Sequence, residues 1–108
     1  MVKKASSTQF DLEQIFKTIR PHMEEIIEKF NVDVIGIIGS YLKGEKKGEY
    51  DLGFFIKFKS GPITPENSEE LNNFLENLFN CKIELIIDSQ INEKLKDKII
   101  KDVEFIEG

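Results

Sequence analysis

One segment limits the folds open to this chain more than any other: Val32 to Ile38 (Val-Asp-Val-Ile-Gly-Ile-Ile), running straight into Gly39-Ser40. Its β-branched, apolar character marks a buried strand. Asp51 to Lys59 reads as a second strand: Leu52, Phe54, Ile56 and Phe58 alternate with Asp51, Gly53, Phe55 and Lys57. Lys82 to Ile87 reads as a third strand, and Val103 to Ile106 as a short final strand.

Helical stripes lie between these strands. Leu12, Ile15, Phe16 and Ile19 are followed by Met23, Ile26, Ile27 and Phe30, both at the spacing of a one-sided helix. Pro21 separates them, which allows a kinked helix or two short helices with the proline opening the second. Thr64-Pro65-Glu66 is a helix start with Thr64 as N-cap, and Leu71, Phe74, Leu75 and Leu78 form that helix's apolar stripe. Asp88-Ser89 is read as the cap of a last helix carrying Ile91, Leu95 and Ile99. The implied fold is α/β in the α+β sense: a small mixed sheet of three to four strands, with helices packed mainly on one face. Residues 1–9 read as a flexible N-terminus and 10–108 as a single domain.

Composition narrows the function. The 108 residues include one cysteine and one histidine, which excludes an internal disulfide and the usual multi-Cys and multi-His metal sites. Cys81 has no evident activating base, His22 reads as solvent-facing, and Tyr41 reads as a helix-surface side chain. The net charge of −5 disfavours direct binding to a polyanion such as nucleic acid. No apolar run approaches the roughly 20 residues of a membrane span. With no signal-like segment, a cytoplasmic protein is the expectation.

Three features carry chemistry. Gly39-Ser40 follows a buried strand, where backbone N–H groups, a hydroxyl and the nearby Lys43 suit phosphate oxygens. Glu49 and Asp51 stand two apart, so both carboxylates can point to one side and hold Mg²⁺. Glu84 interrupts an apolar strand, where a carboxylate needs a partner, a metal or an exposed face.

Ile38-Gly39-Ser40, Lys43-Gly44-Glu45, the Asp51 region and Lys82-Ile83-Glu84-Leu85-Ile86, in that order, resemble the minimal nucleotidyltransferases of the DNA polymerase β-like superfamily, which include antitoxins paired with HEPN toxins. The resemblance runs from about Ile26 to Ile106. It implies a nucleotidyltransferase-like fold. Gly39, Ser40 and Lys43 would bind a nucleoside triphosphate such as ATP. Asp51, Glu84 and Glu49 would hold Mg²⁺ or Mn²⁺ and serve as catalytic acids. The implied activity is transfer of a nucleoside monophosphate to a hydroxyl of a HEPN-type toxin; a homo-oligomer is left open.

The acid pair departs from the family pattern. Without a gap, ten residues separate Ser40 from Asp51, as is usual in the family; Asp51 is then the first acid and Gly53 replaces the second. With a two-residue deletion, Glu49 and Asp51 form the pair. The ungapped register is favoured, and either register predicts weakened or absent catalysis. The alternative function is therefore a catalytically degenerate domain acting as a non-enzymatic binding or antitoxin module.

Overall fold

A computed structural model describes residues 10–43, 48–60 and 64–106. The proposed flexible segment 1–9 and the Gly44-Glu45 part of the motif lie outside the described residues. Helix α1 (Leu12–Ile19) is capped by Asp11, whose side chain accepts from the Gln14 N–H at 2.8 Å. A 3₁₀ turn, Arg20–His22, carries Pro21 and leads into α2 (Met23–Lys29). Pro21 thus separates two helices. The apolar phase survives the break: Ile15, Ile19, Met23 and Ile26 are all buried.

Strand β1 (Val32–Ile38) runs directly into the single turn of α3 (Gly39–Leu42), and β2 (Leu52–Phe58) returns antiparallel to it. Helix α4 (Pro65–Phe79) starts at Thr64, whose side chain accepts from the Asn67 N–H at 3.1 Å. It stops at Asn80, which takes a left-handed conformation at φ 58°. Strand β3 (Ile83–Ile87) then pairs parallel with β2. The last helix, α5 (Glu93–Lys101), corrects one expectation. Residues Asp88–Gln90 form a 3₁₀ turn of their own and Ile91 lies outside the helix; the cap is Asn92, which accepts from the Lys94 N–H at 2.9 Å. Strand β4 (Val103–Ile106) closes against β1.

The sheet order is β3-β2-β1-β4, so β1 and β2 are central, as their burial requires. One face of the sheet carries Ile37, Phe54 and Ile83 and meets α4, where Phe54 packs on Phe79 at 5.5 Å. On the other face Ile86, Phe55, Gly36 and Phe105 lie side by side across the four strands. Phe55 meets Phe105 edge-on at 6.0 Å. Among the described residues, no helix is long and apolar enough to cross a membrane.

Candidate functional site

The site lies at the end of the sheet where β1 stops and β2 and β3 begin. Gly39 is the first residue beyond β1. Its N–H donates to the Asp102 carbonyl at 2.6 Å, and an added Cβ would stand 2.9 Å from both that oxygen and Asp102 Oδ1. Only glycine fits so close an approach. The Ser40 N–H donates to Asp102 Oδ2 at 3.1 Å. Two amides of the Gly-Ser turn are therefore engaged by the junction between α5 and β4, while Ser40 Oγ is buried without a hydrogen-bond partner. Lys43 follows α3 and is exposed.

In the parallel ladder Gly53 stands directly across from Glu84. The space a side chain at 53 would fill is taken by Tyr41: an added Cβ would come within 2.5 Å of its Cε2 and 2.8 Å of its Cδ2. The Tyr41 hydroxyl donates to Glu84 Oε1 at 2.6 Å, within the short range of bonds to a charged acceptor. At 3% exposure Tyr41 belongs to the core, which corrects its reading as a surface residue. Burial, the bond to Glu84 and that carboxylate's charge together raise its hydroxyl pKa far above the ordinary tyrosine range.

Asp51 immediately precedes β2. Its N–H donates to the Lys82 carbonyl at 2.9 Å, and its carboxylate accepts from the Lys82 N–H at a long 3.4 Å. Strand alternation sets position 51 on the side of Gly53, the side that also carries Glu84. Cys81 lies nearby. Burial first, then the charges of Asp51 and Glu76, push its thiol pKa up to about 11, so it is a poor nucleophile. Glu49 is exposed, in the turn before β2.

The structure thus brings Gly39, Ser40, Asp51 and Glu84 to one end of the sheet and leaves Glu49 and Lys43 toward solvent. Among the described residues, no three His, Cys, Asp or Glu side chains are placed to hold a metal ion together. Two carboxylates, one already holding a phenol, do not make the oxygen-rich cage Mg²⁺ takes. Tyr41 and Asp102 are the residues that sequence reasoning missed. Gly53 was a signal for the first, since a glycine inside a strand often marks close approach by another group. Asp102 acts on Ser40 from 62 residues away, and no local pattern announces it.

No family model matches the chain. It is 28% identical over 95 residues to the protein adenylyltransferase MntA of Thermococcus cleftensis, an alignment covering 88% of this chain and 95% of that protein. It is 35% identical over 82 residues to a protein of Methanocaldococcus jannaschii provisionally named a protein adenylyltransferase, covering 74% of this chain and 92% of the relative. Among solved structures, one described provisionally as a minimal nucleotidyltransferase superposes with a TM-score of 0.68 at 19% identity, covering 88% of this chain and 95% of the other. A mutant form of the toxin–antitoxin MntA–HpeT gives a TM-score of 0.60 at 15% identity, covering 93% of this chain and 74% of the other.

Proposed function

The chain belongs to the minimal nucleotidyltransferase family, and from that premise we propose that it is a member with a closed transfer site, acting as a binding module for a toxin-type partner protein. One observation carries this reading: Tyr41 fills the space over Gly53 and holds Glu84 through its hydroxyl. The face on which acids would gather around a metal carries a buried phenol instead. The engagement of the Gly39 and Ser40 amides by Asp102 supports it, because those donors are not available to phosphate oxygens. A partner of the toxin type is carried over from the MntA–HpeT structural neighbour.

The test uses the purified chain, a HEPN-type toxin, labelled ATP and Mg²⁺ or Mn²⁺. The expected result is co-elution of the two proteins, no label on the toxin, and no calorimetric signal for ATP binding to the chain alone. Metal-dependent labelling of the toxin overturns the reading.

A second reading is an enzyme transferring a nucleoside monophosphate from ATP to a partner's hydroxyl. The shared side of positions 51 and 84 and the names of the adenylyltransferase relatives favour it. It requires Tyr41 to leave Glu84 and Glu49 to swing inward. Labelling that is absent in the wild type but appears in Tyr41→Phe would support it.

A further inference from the structure

Strand β3 ends the sheet, and its outer edge lies between two grooves of different chemistry. The Leu52 N–H donates to the Lys82 carbonyl at 3.3 Å. In a parallel ladder that phase turns the backbone groups of Lys82, Glu84 and Ile86 toward β2, and those of Ile83, Leu85 and Ile87 outward. The Ile83 N–H is taken by Glu76 Oε2 at 3.1 Å. The outward N–H groups of Leu85 and Ile87 have no acceptor among the described residues.

Beside α4 lies a groove of about 380 Å³ with Ser68, Glu69 and Asn72 on its wall, and the Asn72 side-chain oxygen is buried without a donor. Beside α5 lies a groove of about 300 Å³ with Ile86, Ile91, Leu95 and Ile99 on its wall; Leu95 is 51% exposed. Glu84, Leu85 and Ile87 line both, so the grooves meet along the strand edge.

We propose that the β3 edge receives an extended segment of a partner protein, added as a fifth strand, with apolar side chains entering the α5 groove and basic or amide side chains entering the α4 groove. An extended segment projects successive side chains to opposite faces, which matches two grooves flanking one edge. Charge selects the occupant. Glu69 gives the polar groove a negative charge, and the unpartnered Asn72 oxygen asks for a donor, so Lys or Arg fits there. A second copy fits badly: paired antiparallel with the same face up, its own β3 would turn Ile83, Leu85 and Ile87 toward the polar α4 wall and bring its Glu84 toward this edge's Glu84 on the opposite face. The inference deepens the partner-binding reading and rests on it for the class of occupant.

The test is fluorescence anisotropy of the full chain, without nucleotide, against labelled peptides of about eight residues alternating Lys with Ile or Leu. Controls carry Glu in place of Lys, or N-methyl groups on the residues that face the edge. The expected result is binding at least about tenfold tighter for the basic peptide than for the acidic one, abolished by N-methylation. Glu69→Lys, at an exposed position, is expected to narrow or reverse the preference. Equal binding of both peptides, indifference to N-methylation, or no binding of any peptide overturns the proposal. So does a dimer whose formation blocks the peptide, since it assigns the edge to a second copy. Labelling of a toxin with nucleotide would overturn the closed-site reading alone and leave the peptide result standing.

Discussion

The contact between Tyr41 and Gly53 can be broken with a single methyl group. In Gly53→Ala the new Cβ would stand 2.5 Å and 2.8 Å from two ring carbons of Tyr41 and 3.2 Å from an Ile38 side-chain carbon. Ordinary contact begins near 3.4 Å, so the ring must withdraw by about 1 Å in a core that has little slack. A shift of that size carries the Tyr41–Glu84 bond from 2.6 Å to the limit of hydrogen-bond range. Overpacking costs about 1–3 kcal/mol, and a lost hydrogen bond to a charged group about 1.5–3 kcal/mol. Relief of glycine's backbone entropy returns about 0.5–1 kcal/mol. The net expectation is a loss of roughly 2–4 kcal/mol, a large fraction of the about 5–15 kcal/mol of a domain this size. Urea melts would show a lower midpoint with an unchanged slope. The control is Tyr41→Ala, in which the obstructing ring is gone. Sucrose in the buffer keeps that variant folded at the start of the melt. Adding Gly53→Ala to Tyr41→Ala is expected to cost nothing, giving a coupling of about 2 kcal/mol or more. A Gly53→Ala protein within about 0.5 kcal/mol of wild type, or one losing the same stability in both backgrounds, would refute the packing argument.

Other outcomes follow from the same geometry. Gly53→Asp alone is expected to destabilise without producing label transfer, because its carboxylate meets the Tyr41 ring; activity measured on the soluble variant checks this. Tyr41→Phe keeps the ring and removes the bond to Glu84, so chemical denaturation is expected to show a loss of about 1–3 kcal/mol. Cys81 holds its proton to about pH 11, so its alkylation at pH 8 is expected to be about 100-fold slower than that of an unperturbed thiol. The rate rises with pH until that value, and Asp51→Asn, which removes a charge that raises the thiol pKa, is expected to speed it. Thr64→Ala removes the α4 cap and is expected to cost about 1 kcal/mol in thermal melts.

The secondary elements were legible wherever periodicity and end signals agreed. Thr64-Pro65 marks the start of α4, and the alternation from Leu52 to Phe58 gives β2, because burial on one face writes a period into the sequence. The boundary of α5 was less legible: Asp88 and Ser89 are as good caps in isolation as Asn92, and the choice depends on how Ile91 packs. The candidate site was legible as a set of strand ends, since Gly39, Ser40, Asp51 and Glu84 occupy the ends that the fold gathers. Its filling was not. Tyr41 sits in a polar stretch that reads as surface, and its burial follows from a missing side chain on another strand. Asp102 reaches the turn through tertiary closure, which local spacing does not record.

The pairing of β1 with β4 has a consequence for synthesis. On the ribosome, β1 meets β2 early, but its other flank waits for β4, the last strand of the chain order. Until that segment emerges, the nascent protein presents an unzipped apolar ribbon, a hazard for off-pathway association. Distant ladder closure of this kind is slow relative to local hairpin formation. Amides on that flank of β1 are therefore expected to gain protection last in pulse-labelling of refolding, after those shared with β2.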